Sequence, residues 1–135
     1  MKLSAIWRLV RPKQFAKNLV ALAAMLFTLG SAGSNAPSQA AIAVLCLCLA
    51  GASIYCLNDI LDVERDRLHP KKSKRPIASG EVSISSAIGI AAVSLLGSLG
   101  LAGMISTQML LSVIVFLGIQ LFYNFYAKSV AILDV

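Results

Sequence analysis

Charged side chains are scarce in this chain. They make up 13 % of its 135 residues, against 58 % that are hydrophobic, whereas an ordinary soluble domain carries about 25 %. No charged residue lies at the middle of any long apolar stretch, which weighs against an ion or proton path across a bilayer. The three cysteines, Cys46, Cys48 and Cys56, match no metal-ligand spacing. They read as small buried apolar residues and say little about redox compartment. There is no convincing internal repeat and no low-complexity tract. A soluble globular domain is therefore excluded, and the pattern is that of an integral membrane protein.

What is present is a set of uncharged runs. Four spans can be drawn, roughly Phe15 to Gly33, Ala36 to Leu57, Val82 to Ile105 and Thr107 to Tyr126. The last three reach the ~20 residues that cross a hydrocarbon core. The first is weaker, because its uncharged run begins only at Leu19. It spans fully if Lys17 snorkels toward the headgroups or meets a ligand there. The expected fold is all-α: a polytopic transmembrane helical bundle of about four spans, in one domain over residues 1–135.

The net charge of +6 has a direction. Lys2, Arg8, Arg11, Lys13 and Lys17 precede or open the first span. Arg65, Arg67, Lys71, Lys72, Lys74 and Arg75 lie between the second and third, and Lys128 follows the fourth. The other two loops carry no charge. Four spans put all twelve cations on one side, so the positive-inside rule places both termini and the central loop in the cytoplasm; the expected membrane is a bacterial inner membrane. Topology and anionic headgroups explain the basic balance, and no nucleic-acid partner is expected. A cleavable signal peptide is the competing reading of the N-terminus, with Ser31-Ala32-Gly33 as its small residues. The long basic leader and Arg11-Pro12 disfavour it.

Residues 1–13 read as an interfacial segment, with Trp7 a headgroup-level anchor and Pro12 a break before the first span. The loop from Leu68 to Gly80 holds two prolines and a glycine and is not expected to be one helix. In the third span Ser94, Ser98 and Ala102 recur every four residues, which suits close helix packing.

The most informative stretch is Asn58-Asp59-Ile60-Leu61-Asp62-Val63-Glu64-Arg65-Asp66. Asp59, Asp62 and Asp66 are spaced i, i+3, i+7. On a helix this puts three carboxylates within about 60° of one face, over roughly 10 Å of axis. Like charges on one stripe repel unless something cationic sits there, and a divalent cation carrying a phosphorylated ligand is the leading candidate. A solvated face self-paired with Arg65 and Arg67 is the plainer alternative. The six cations from Arg65 to Arg75 sharpen the first reading. Carboxylates hold Mg²⁺, Mg²⁺ bridges diphosphate oxygens, and Lys and Arg neutralise the remaining phosphate charge. Such a site can stabilise a departing diphosphate.

Asn58-Asp59-x-x-Asp62-x-x-x-Asp66 resembles the first acidic motif of the UbiA superfamily of intramembrane prenyltransferases, and Arg75-Pro76-x-x-Ser79-Gly80 also resembles that superfamily. Arg11 to Asn18 and His69-Pro70-Lys71-Lys72 look like its decaprenyl-phosphate phosphoribosyltransferase branch. Tyr126-Ala127-Lys128-Ser129 leading to Asp134-Val135 does so more weakly. The resemblance implies a nine-helix transferase fold around a cavity, with an acidic motif in each half. It implies a phosphoribosyl diphosphate donor, a polyprenyl phosphate acceptor and Mg as cofactor. Carried over by position, Asp59 and Asp62 would be the main metal ligands. Asp66 would be a third ligand or a contact to donor hydroxyls. Asn58 would orient the donor, and Lys17 and Arg75 would meet phosphate. Each has a structural alternative: a polar helix end for Asn58, a snorkelling topogenic lysine for Lys17, a loop cation for Arg75. His69 reads as a turn residue beside Pro70 and is left out of catalysis, and no catalytic residue is assigned.

The departure from the family is length. Only about half of its helices are expected here, and no second acidic motif follows, since Asp134 cannot replace one. The expected product is thus the N-terminal half of such a bundle, with motif region 58–80. Its activity is phosphoribosyl transfer to polyprenyl phosphate, with an aromatic prenyltransferase as the enzymatic alternative. A non-catalytic membrane scaffold or an inactive truncated fragment is the other.

Overall fold

The computed structural model of the protein describes residues 3–12, 14–15 and 36–127. Among these residues there are helices and turns and no strand. Helix α1 is Leu3–Val10, α2 is Ala36–Leu61, α3 is Val63–Leu68, α4 is Ile84–Ile105 and α5 is Thr107–Phe122, which runs on into a π-helical turn, Tyr123–Ala127. Three helical stretches are long and apolar enough to cross a membrane: Ser38–Leu61, Ile84–Ile105 and Thr107–Tyr126. At about 1.5 Å per residue each reaches ~30 Å or more. They correspond to the second, third and fourth expected spans. The first span lies outside the described residues except for Phe15, and Lys13, Lys17, Lys128 and Asp134 lie outside them too.

The boundaries follow from local chemistry. Helix α4 begins two residues later than hydropathy alone suggests, because Ser83 caps it: its hydroxyl accepts a hydrogen bond from the Ser86 N–H at 3.2 Å. Helices α4 and α5 are joined by one extended residue, Ser106, whose hydroxyl accepts from the Met109 N–H at 3.1 Å. This joint reverses the chain. Helix α2 therefore ends, α4 begins and α5 ends at the same end of the bundle, the end that also holds α1 and the 62–83 segment.

The contact between α2 and α4 is built on small residues. Ser94, Ser98 and Ala102 are the buried positions along the second half of α4, as their four-residue spacing predicts. The Ser98 hydroxyl donates to the Cys46 carbonyl at 2.8 Å, and a Cβ at Gly97 would sit 3.6 Å from Leu49 Cδ1. Cys46, Ala50, Ala102 and Val113 form one core cluster, and Cys46, Cys48 and Cys56 are all buried. Ser98→Leu should separate these helices at a cost of about 1–3 kcal/mol. Ser98→Ala should cost only about 0.6 kcal/mol, the average worth of one interhelical hydrogen bond in a membrane. Thermal unfolding in detergent would rank the two, and equal losses would mean that helix spacing is not what Ser98 provides. By contrast, the outer faces of α4 and α5 leave Val93, Leu96, Met104, Leu111 and Ile119 exposed. Such faces suit lipid or further helices rather than water.

Candidate functional site

The three aspartates straddle the end of α2. The helix stops at Leu61, Asp62 takes φ −90° and ψ 2°, and α3 resumes at Val63. A continuous helix was expected here, so this break is a difference. Asp62 sits in the bridge region of backbone space, which turns and active-site residues favour. Hydrogen bonds from Asp62 N–H to the Asn58 carbonyl (2.9 Å) and from Asp66 N–H to the Asp62 carbonyl (2.8 Å) keep the helical spacing across it. Asp59 and Asp66 consequently stay close enough to share one partner.

That partner is Arg75. Its Nη1 donates to Asp66 Oδ2 at 2.6 Å and to Asp59 Oδ1 at 3.2 Å. Asp59 and Asp66 are 2 % and 1 % exposed, so both carboxylates depend on this guanidinium for compensation. The loop that carries Arg75 is anchored from below. Arg75 is extended, as the residue before Pro76 must be. Ile77 and Val82 plug into a core cluster with Leu9, Cys56 and Ala87. Val82 N–H bonds the Pro76 carbonyl at 2.9 Å, and Gly80 takes φ 78°, a value glycine adopts without strain. The punctuated loop is thus not one helix. It contains a 3₁₀ turn at Lys72–Lys74 and a turn in which His69 Nδ1 accepts the Lys71 and Lys72 N–H groups at 3.1 and 3.3 Å.

Arg11 approaches from the other side. Helix α1 packs through Ala5 and Leu9 and leaves Leu3 and Trp7 exposed, which suits an interfacial segment. It ends at Val10, one residue before the Arg11-Pro12 pair. Arg11 lies at φ 55° and bonds Asp59 Oδ1, with its guanidinium 5.4 Å from the Tyr55 ring centroid. Left-handed backbone at a non-glycine residue is a strained arrangement that clusters at functional sites. Arg8 pairs with Glu81 and ties α1 to the start of α4.

These groups line a cleft of about 220 Å³ whose wall is Arg11, Asn58, Asp59, Asp62, Lys72, Arg75, Tyr123 and Asn124. Asn58 donates from Nδ2 to Asn124 Oδ1 at 2.9 Å, joining the ends of α2 and α5. Asp62 pairs with Arg65 at 3.6 Å on the outer side. The like-charge repulsion expected on the stripe is relieved by the chain's own Arg11 and Arg75. Among the described residues, no group of three or more His, Cys, Asp or Glu side chains is arranged to hold a metal ion. Below the cleft, α2, α4 and α5 enclose an apolar cavity of about 600 Å³, with Ile54, Leu57, Ile60, Leu95 and Leu121 among its lining.

Of the residues singled out from sequence, Asn58, Asp59, Asp62 and Arg75 meet at this cleft. Asp66 stands behind it, bonded to Arg75, and Lys17 lies outside the described residues. Four lining residues had not been assigned a role: Arg11, Lys72, Tyr123 and Asn124. Arg11-Pro12 carried a signal as part of the N-terminal motif. Asn124 is a lone amide among aromatics at the end of an apolar run.

The UbiA prenyltransferase family matches residues 18–135. The chain is 37 % identical to a decaprenyl-phosphate phosphoribosyltransferase of Mycolicibacterium smegmatis, over 98 % of this chain and 43 % of that relative. A Corynebacterium glutamicum protein of the same name is 36 % identical over 93 % of this chain and 39 % of its own length. A digeranylgeranylglyceryl phosphate synthase of Methanoculleus marisnigri is 30 % identical over 98 % of this chain and 46 % of its own length. The chain spans less than half the length of these curated relatives.

Proposed function

This chain belongs to the UbiA prenyltransferase family, and from that premise we propose that it forms the donor-binding half of an integral membrane transferase. The reaction is transfer of 5-phosphoribosyl from phosphoribosyl diphosphate to a polyprenyl phosphate. The observation that carries this reading is one cleft in which Asp59 and Asp62 face Arg11, Lys72 and Arg75, set above an apolar cavity between the spans. A cleft of mixed charge suits a metal-bound diphosphate, and the cavity suits an isoprenoid tail. The basic end faces the cytoplasm by the positive-inside rule, at a bacterial inner membrane.

The residues fit magnesium in the way that ion is usually held. Mg²⁺ takes one or two carboxylates together with substrate phosphates rather than an all-protein cage. Asp59 and Asp62 supply that pair. Arg11 and Arg75 both bond Asp59 through Oδ1. When bound, the metal would neutralise charge on the departing diphosphate. Asp66 would hold Arg75 in place, and Arg11, Lys72 and Arg75 would bind phosphate oxygens from the wall. Asn58, braced by Asn124, would orient the ribosyl group. In the reaction an acceptor phosphate oxygen attacks the anomeric carbon and the carbon–diphosphate bond breaks.

The test is a transfer assay in membranes from cells expressing the gene, with phosphoribosyl diphosphate labelled in the ribose. Label should pass into organic-extractable lipid only when polyprenyl phosphate and Mg²⁺ are both present. Transfer of a labelled prenyl diphosphate to an aromatic acceptor, with no ribose label in lipid, would replace this reading by an aromatic prenyltransferase.

A further inference from the structure

A second cleft lies on the far side of Arg11, Asp59 and Arg75. Its volume is about 260 Å³, and Arg8, Lys71, Lys74 and Pro76 complete its wall. Five cations face a single carboxylate there. Three of them are engaged: Arg8 with Glu81, Arg11 with Asp59, and Arg75 with Asp59 and Asp66. Lys71 and Lys74 are exposed, and neither forms an ion pair with the described residues. Five cations less the three carboxylates they pair with leave a local charge of +2. A phosphomonoester carries about −1.5 to −2 near neutral pH. The cleft offers one carboxylate against five cations, so it is a poor home for a divalent cation. The turn at His69 sends the neighbours Lys71 and Lys72 to different clefts, Lys71 to this one and Lys72 to the carboxylate cleft. Arg8 and Arg11 also wall an adjoining space of about 340 Å³ with Trp7, which is 68 % exposed. An amphipathic ligand could therefore reach the cations from headgroup level.

We propose that this cleft is a metal-independent phosphomonoester site, separated from the carboxylate cleft by the Arg11–Asp59–Arg75 wall. The inference rests on the transferase reading for its ligands. That reaction brings two phosphomonoesters to the protein, the acceptor's lipid phosphate and the donor's 5-phosphate.

The experiment uses the protein in phosphatidylcholine nanodiscs and equilibrium dialysis of three labelled probes. Farnesyl monophosphate and ribose 5-phosphate are measured in EDTA, and pyrophosphate is measured with Mg²⁺. At least one monophosphate should bind in EDTA. The double variant Lys71→Ala/Lys74→Ala should weaken that binding about tenfold or more, and Lys71→Arg/Lys74→Arg should keep it within about threefold. Pyrophosphate binding should stay within about twofold of wild type in both variants. Whichever monophosphate shows the loss identifies the source, lipid or donor. The proposal falls if neither monophosphate binds without metal or if the alanine variant binds like wild type. It also falls if pyrophosphate binding drops alongside, because the clefts would then be one site. Wild-type protein that binds a monophosphate but not magnesium pyrophosphate would overturn the transferase reading and leave this one standing.

Discussion

Asp62→Ala should abolish magnesium-dependent pyrophosphate binding while leaving the fold intact. The expected loss is at least about a hundredfold, since removing a partner merely outside a metal's ligand shell already costs 10–100-fold. The fold should survive because Asp62 lies at the helix break, and its ion pair with Arg65, at 3.6 Å, faces outward where Arg65 is exposed. A pair this long, with its arginine in solvent, contributes about 0–1 kcal/mol. Titration calorimetry with pyrophosphate, with and without Mg²⁺, reads the first effect, and the melting temperature reads the second. A membrane scaffold whose basic loop only binds anionic lipid predicts no change in either. Unaltered Mg²⁺-dependent binding in this variant would remove Asp62 from the metal site and return the aspartates to the plainer role of a self-paired face.

Arg75→Ala should do the opposite and damage the fold first. Asp59 and Asp66 are both buried and both bonded to the same Nη1. Among the described residues, removing that guanidinium leaves Asp66 without its cation and Asp59 with Arg11 alone. Breaking a buried ion pair from one side costs about 3–5 kcal/mol, and here one cation serves two carboxylates. Arg75→Lys should recover only part of the loss, because one ammonium on a flexible stem does not reproduce the planar fork. The double variant Arg75→Leu/Asp66→Leu should be more stable than Arg75→Leu, since it removes the stranded charge. SDS-titrated unfolding, followed by far-UV circular dichroism, would measure the series. If Arg75→Ala matched wild type, the pair would contribute nothing to the fold, and Arg75 would be poised for ligand alone.

These two variants separate roles that one motif combines. Asp62 lines the cleft from the helix break and is only partly buried. Asp66 is turned to Arg75 and does not line it. Asp59 does both, facing the cleft while holding Arg11 and Arg75. Spacing alone put all three on one stripe with nothing to distinguish them. The difference arises from Ile77 and Val82, whose burial brings Arg75 down onto Asp59 and Asp66.

Much of the architecture was legible from the order of residues. Runs of uncharged side chains long enough to cross a bilayer have few alternatives to helix there, because backbone groups must be satisfied within the segment. The spans at 38–61, 84–105 and 107–126 follow from that constraint, and so does the small-residue seam at Ser94, Ser98 and Ala102. Aspartates at i, i+3 and i+7 announce a common face for the same kind of reason, the fixed 3.6-residue turn. Local periodicity could not supply partners distant in the chain. Arg11 meets Asp59 across 48 positions, and Asn58 meets Asn124 across 66. Those meetings depend on how α1 and α5 pack against the end of α2. The separation of Lys71 from Lys72 into two clefts depends likewise on the turn at His69, and charge counting treats the two alike. Covalent order sets which groups lie near one another along the chain, whereas burial and charge compensation in three dimensions choose which of them form a site.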